Sequence, residues 1–217
     1  MPDVILPCLN EAPALPDLLK RMPNGWNPIV ADNGSTDGSA QIALDHGAQV
    51  VHVAVRGYGA AAHAGLEAAT SDIVGFMDAD GTLNPVDLDR VAAPIVADAA
   101  DLVLGRRRPT SRHALSAHSR AGNAYLARRV RLKTGFAIHD LGPMRVGNRQ
   151  ALLDLELNDR RFGWPLEMIS RAAECGLRVT EVDVPYGPRM AGTASKVTGT
   201  IGGTLRTVRD MSRVLPK

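Results

Sequence analysis

Asp78 and Asp80 stand one residue apart, directly after the apolar run Asp72–Met77. Two carboxylates in such a place repel each other unless something neutralises them. A hard divalent cation such as Mg²⁺ or Mn²⁺ does so, because it prefers carboxylate oxygens and keeps positions open for phosphate. Two more polar clusters, Asn10-Glu11 and Asp32-Asn33, follow apolar runs in the same way. Asp37 sits where a helix cap belongs and reads as one. Cations offer the complementary chemistry. Arg106, Arg107 and Arg108 follow a strand end, and Arg189 and Lys196 sit in a Gly-rich stretch. Arginine forks match phosphate oxygens, and lysine adds a point charge. Arg128, Arg129, Arg131 and Lys133 read instead as a solvated basic surface.

One further segment imitates a nucleotide motif. Gly57-Tyr58-Gly59-Ala60-Ala61-Ala62 follows a strand, opens a helix, and precedes Asp78 by 21 residues from Gly57. That is the outline of a dinucleotide-binding fingerprint, so a dinucleotide-dependent oxidoreductase is an alternative. The acid arrives as a pair, however, which a dinucleotide site does not need. The six histidines show no helical ligand spacing, and neither a Gly-x-Ser-x-Gly elbow nor a Gly-x-x-x-x-Gly-Lys loop occurs.

These clusters need a scaffold that brings them to one rim. Strand signals fall at Val4–Leu6, Pro28–Ala31, Gln49–Val55, Asp72–Met77 and Asp101–Leu104. Helix signals alternate with them at Ala14–Met22, Gly38–His46, Gly59–Ala69 and Pro85–Ala97. That alternation implies crossover units and a mostly parallel sheet. In such a sheet ligands bind at the carboxyl ends of the strands, where the three acidic and polar clusters lie. The second half is less regular. Arg106–His118 reads as a loop, Ser119–Lys133 as a basic helix, and Asp140–Val146 crosses a Gly-Pro turn. Trp164–Cys175 reads as a helix, Leu177–Val184 as a strand, Pro185–Lys196 as a loop and Thr200–Val214 as a final helix. In that last segment Val197, Ile201, Leu205, Val208 and Leu215 share a face beside Arg206, Arg209, Arg213 and Lys217. It packs on the sheet, or it docks on a membrane surface or a membrane-protein partner; both readings stay open.

Composition bounds the function classes. The chain has 217 residues, 45% hydrophobic and 22% charged, which suits a single soluble globular domain. Aromatics are 4%, so nucleic-acid binding through stacked bases is not expected. Cys8 and Cys175 are far apart, which excludes a zinc site or disulfide framework and points to a reducing cytoplasm. No apolar run reaches the length of a membrane span. Residues 1–100 hold 4 Lys and Arg against 13 Asp and Glu, a net of −9, while the remainder nets +11. A metal-binding half therefore faces a half suited to phosphates or an anionic surface.

The ordered set of motifs resembles family 2 glycosyltransferases. Pro7-Cys8-Leu9-Asn10-Glu11, Ala31-Asp32-Asn33-Gly34-Ser35-Thr36-Asp37-Gly38 and Met77-Asp78-Ala79-Asp80-Gly81 occur in that family's order and spacing. Gly105-Arg106, Asp140-Leu141-Gly142-Pro143-Met144-Arg145, Trp164-Pro165-Leu166-Glu167-Met168, Val184-Pro185 and Arg189…Gly192…Ser195-Lys196 continue the likeness. It is strongest to polyprenyl-phosphate glycosyltransferases of the dolichyl-phosphate mannose synthase type. The resemblance implies an α/β GT-A fold: one Rossmann-like, nucleotide-sugar-binding domain over 1–217 with a mostly parallel central sheet. Residues 1–105 would form its nucleotide- and metal-binding half, and 106–217 its acceptor side. It also implies inverting, metal-dependent transfer from a UDP- or GDP-sugar to a polyprenyl phosphate or another acceptor. Pro7, Leu9 and Glu11 would line the nucleotide pocket, and Asp32, with Asn33 beside it, would meet the base. Asp78, Ala79 and Asp80 form the Asp-x-Asp motif, with Asp80 the principal metal ligand and Asp78 nearer the ribose and metal. Arg106, Arg189 and Lys196 would contact phosphate. A lipid phosphate acceptor needs no base, whereas a hydroxyl acceptor does, and Glu167 and Asp140 are the candidates. The chain departs from the pattern at Thr82, where the mannose synthases usually carry Gln, which leaves a non-catalytic nucleotide-binding module as a further alternative. The seven-residue step from Arg189 to Lys196 is one longer than usual.

Overall fold

The computed structural model describes residues 1–111 and 114–189, together with Arg209 and Met211. The first four strands are β1 (Asp3–Cys8), β2 (Asn27–Asp32), β3 (Gln49–His52) and β4 (Ile73–Phe76). Helices α1 (Leu15–Lys20), α2 (Ser39–Asp45) and α3 (Tyr58–Ala68) connect them. Then follow α4 (Asp87–Val96), β5 (Leu102–Pro109), α5 (Ala117–Thr134), β6 (Arg145–Asn148), α6 (Arg149–Asp154), α7 (Trp164–Glu174) and β7 (Val179–Tyr186). The strands form one seven-stranded sheet in the order β3-β2-β1-β4-β6-β5-β7. Every pairing is parallel except those of β6, which runs antiparallel to both β4 and β5. β5 therefore points the same way as β4, and the ends of β1, β2, β4 and β5 share one rim.

Strand alternation splits the core into two layers. Val4 and Leu6 of β1 face one side, where Leu15 and Leu18 of α1 and Leu88 and Val91 of α4 cover them. Ile5 faces the other, among Leu66 of α3, Phe76 of β4 and Trp164 and Ile169 of α7. The Phe76 and Trp164 rings lie 5.1 Å apart and tilted by 59°, a geometry that adds about 0.5–1.5 kcal/mol beyond area burial.

The second half departs from the sequence reading in two places. Arg106–Arg108 do not lie in a loop but continue β5, in parallel register with Asp183, Val184 and Pro185 of β7. Asp183 makes this tenable: Arg106 Nε donates to its Oδ1 at 2.5 Å and Arg108 Nε to its Oδ2 at 2.7 Å. The Gly142-Pro143 turn opens directly into β6, a strand with no clear signal in the sequence. Of the final segment, Arg209 and Met211 are helical; Arg209 is exposed and Met211 packs against the second core layer. Val197, Ile201, Leu205, Val208 and Leu215 lie outside the described residues. Among the described residues no helix is long and apolar enough to cross a membrane.

Candidate active site

The loops after β1 and β2 are stitched together, which fixes the first two clusters. Asn10 N donates to Ser35 Oγ at 2.9 Å, Thr36 N to Asn10 Oδ1 at 2.7 Å, and Glu11 N to Ser39 Oγ at 2.9 Å. Asp37 is not the cap expected of it: Gly38 is the N-cap of α2, and Asp37, one residue earlier, accepts from Ser39 N at 3.0 Å and with its other oxygen from Ala12 N at 3.0 Å, tying the two loops together. Asp32 ends β2 buried, with Oδ1 accepting from Ser35 N at 3.1 Å.

Above this rim lies a cavity of about 520 Å³. Pro7, Leu9 and Glu11 from the end of β1, Asn33 after β2, Asp78-Ala79-Asp80 after β4, and Arg189 all line it. Asp80 Oδ1 accepts from Thr82 N at 3.0 Å and from Thr82 Oγ1 at 2.6 Å, so the hydroxyl orients the carboxylate. Its Oδ2 pairs with the Arg189 guanidinium, which also reaches Glu11 Oε1 at 3.8 Å. Burial, with Asp80 beside it, pushes the Asp78 carboxyl up to about 7. Asp78 and Asp80 thus stand together in one cavity wall with Glu11 and Arg189. Among the described residues no cluster of three or more His, Cys, Asp or Glu could hold a metal. Two carboxylates do fit Mg²⁺ or Mn²⁺, which commonly bind one or two protein carboxylates and complete their shell with substrate phosphate and water.

Other predicted residues stand elsewhere. Arg106 is held on Asp183, away from the cavity wall. Asp140 is clamped by Arg107, whose Nε and NH2 donate to its Oδ2 and Oδ1 at 2.9 and 2.7 Å. Glu167 accepts from Asn158 N at 3.1 Å and Asp159 N at 2.8 Å, so it caps the loop before α7. Lys196 lies outside the described residues.

That loop supplies cavity residues the sequence did not disclose: Arg161 and Phe162, facing Arg56 and Tyr58. Arg56 stands at the end of the third strand signal, on the same rim, and strand position was the clue to it. Arg161 and Phe162 carry no such clue. The loop also explains the Gly57-x-Gly59 motif. Gly57 N donates to Asn33 Oδ1 at 2.7 Å, Gly59 N to Arg161 O at 2.9 Å and Ala60 N to Arg160 O at 2.9 Å. A Cβ on Gly57 would lie 2.0 Å from Arg160 O, and one on Gly59 2.6 Å from Asp159 O. The glycines admit the protein's own backbone, and these amides are already bonded. A pyrophosphate has no place there, so the dinucleotide reading is corrected.

Comparison with known proteins shows the family. The model of the family "Glycosyl transferase family 2" matches residues 3–155. An uncharacterized glycosyltransferase of Mycobacterium tuberculosis is 46% identical over 212 residues, covering 98% of this chain and 96% of that protein. A dolichyl-phosphate hexose transferase of Haloferax volcanii is 30% identical, covering 88% and 84%. Among solved structures, glucosyl-3-phosphoglycerate synthase from Mycobacterium tuberculosis, in complex with Mn²⁺, UDP-glucose and phosphoglyceric acid, matches with a TM-score of 0.77. That match covers 99% of this chain and 78% of the synthase at 22% identity, and is a likeness of fold. With the GT-A sheet, the family match and relatives spanning nearly its whole length, the chain belongs to glycosyl transferase family 2.

Proposed function

We propose that the enzyme moves a hexose from a UDP- or GDP-sugar to a polyprenyl phosphate, with inversion and with Mg²⁺ or Mn²⁺ held by Asp78 and Asp80. The observation that carries this is the convergence of Asp78, Asp80, Glu11 and Arg189 in one cavity with Pro7, Leu9 and Asn33. Pro7 and Leu9 form an apolar wall for the base, and Asp32, buried behind the wall next to Asn33, is assigned to its N–H edge. When bound, the metal acts as a Lewis acid on the departing diphosphate. Arg189 presents its fork to the same oxygens, with Lys196 assigned to the acceptor phosphate. The relative named as a dolichyl-phosphate hexose transferase supports a lipid phosphate acceptor. So does the engagement of Glu167 and Asp140, each already bonded to protein donors. An acceptor that arrives ionised needs neither as a base. In this reading the enzyme works on the cytoplasmic side, at a membrane surface.

A thermal-shift panel of nucleotide sugars, with and without Mn²⁺, tests the donor. A ligand at a hundred times its Kd adds about 2.7 kcal/mol. No metal-dependent shift with any UDP- or GDP-sugar would overturn the reading. Hexose transfer to a vesicle-borne polyprenyl phosphate, against phosphoglyceric acid as control, tests the acceptor.

Asp32→Ala is expected to weaken the free nucleoside diphosphate by about 1.5–3 kcal/mol, the worth of a charge-assisted hydrogen bond. Calorimetry with the nucleotide alone reads this directly. Unchanged affinity would remove Asp32 from base recognition.

A further inference from the structure

α5 is built from two opposed faces. Ser116 caps it by accepting from Ser119 N, and Gly135 ends it at φ +74°. Leu126, Ala127 and Val130 are buried on the side that packs on α7. On the opposite face, at steps of three and four, stand Tyr125, Arg128 and Leu132, with Tyr125 and Leu132 50% and 73% accessible; exposed Arg120 and Arg131 flank them, and Arg131 NH1 also donates to Ile138 O at 3.3 Å. The helix carries five Lys and Arg and no carboxylate in its 18 residues.

A face made for water alone interleaves acids with bases, because like charges three or four apart destabilise a helix. Here Arg128 and Arg131 stand three apart. An anionic partner turns that repulsion into attraction. The partner must also receive a leucine and a tyrosine. A phosphate-rich polymer offers nothing to Leu132, whereas the headgroup boundary of a bilayer takes cations and apolar side chains together.

The helix also stands next to the site. β5 leaves the sheet on the rim that carries Asp78, and the segment 110–116 leads from there into α5. Asn123 Oδ1 of α5 accepts from Arg107 NH2 at 3.3 Å and from Leu141 N at 3.0 Å, contacting the Arg107–Asp140 pair.

We infer that the outward face of α5 is a docking surface for an anionic lipid bilayer. The inference deepens the polyprenyl-phosphate reading and rests on it for its purpose. A peripheral face of this kind holds the rim at the headgroups, where a lipid-linked phosphate presents itself.

Co-sedimentation with vesicles of phosphatidylglycerol and phosphatidylcholine in equal parts tests it, against phosphatidylcholine alone. Binding is expected to the anionic vesicles only and to fall as salt rises. The variant Arg120→Glu/Arg128→Glu/Arg131→Glu should lose about a hundredfold in binding, from about 1 kcal/mol per cation. Tyr125→Ser/Leu132→Ser should weaken binding while keeping its salt dependence. Circular dichroism and melting of each variant establish that the helix persists. Equal binding to both vesicles, no binding at low salt, or binding untouched by charge reversal overturns the inference. Capture of duplex or single-stranded nucleic acid by this face, without vesicle binding, overturns it too. A water-soluble short-chain prenyl phosphate separates the two readings. Transfer to it by a protein that ignores vesicles sinks the docking face and spares the acceptor. Vesicle binding without transfer to any prenyl phosphate does the reverse.

Discussion

Asp80→Asn is expected to lower transfer by about two to three orders of magnitude and to leave the protein folded. Holding a cation against a departing diphosphate is worth several kcal/mol, and each 1.36 kcal/mol is a factor of ten in rate. The same change removes a like charge beside Asp78. In the parent, burial and the Asp80 charge push the Asp78 carboxyl up to about 7. Asn at position 80 removes the like charge and keeps an oxygen for Thr82 N and Thr82 Oγ1. Arg189 retains Glu11. Melting in metal-free buffer reads the relief of Asp78 against the loss of the Arg189–Asp80 pair, while the rise that Mn²⁺ and a nucleotide sugar give the parent should vanish. Full turnover of the variant in metal-free buffer would sink the assignment.

Gly57→Ala is expected to destabilise the protein by about 2–5 kcal/mol, summing backbone strain and overpacking. Gly57 has φ +149°, and its Cβ would meet the Arg160 carbonyl at 2.0 Å. Backbone cannot step aside as a flexible side chain does, so the 160–161 segment must lift from α3. Arg161 and Phe162 then leave the cavity wall, and donor affinity falls with stability. Gly25→Ala is the control. Gly25 has φ +98° but nothing within 4 Å of the added methyl, so it carries strain of about 1 kcal/mol without the clash. Urea denaturation of both variants reads the difference as a shift in midpoint. If Gly57→Ala unfolds alongside Gly25→Ala, the loop is looser than its hydrogen bonds imply.

The first half of the fold was legible because three of its apolar runs stop at a residue type they do not contain. Val4–Leu6 stops at Pro7, Pro28–Ala31 at Asp32 and Asp72–Met77 at Asp78, and the period between them suits helices. The site residues of that half were legible for the same reason, since a polar cluster at a strand end has few places to go. The second half hid its strands behind charge. β5 runs through three arginines because Asp183 on β7 neutralises two of them and Asp140 takes the third; a partner about 75 residues away leaves no local mark. β6 has four residues and begins with Arg145, which is buried with Nε on Gly142 O and NH1 on Pro165 O. No periodicity announces an interior arginine. Arg161 and Phe162 were missed because they reach the cavity through a loop set by Glu167 and Asp159. Glu167, a candidate base only for a hydroxyl acceptor, accepts from the backbone amides of Asn158 and Asp159. The Gly57-x-Gly59 pattern kept a dinucleotide alternative open because glycine permits close approach without saying of what.

The single reversed strand has a consequence for how the chain comes off the ribosome. β3, β2, β1 and β4 are all complete by Phe76, and they pair only among themselves on one side. The open flank of β4 receives β6, whose residues emerge about seventy positions later. Until then Ile73-Val74-Gly75-Phe76 is a flat apolar edge of the kind that recruits foreign strands. At about 5–20 residues per second, that edge stands bare for several seconds of translation. The nascent amino-terminal half is thus the stage at which a chaperone matters most to this protein, and β6 is the strand that closes the door.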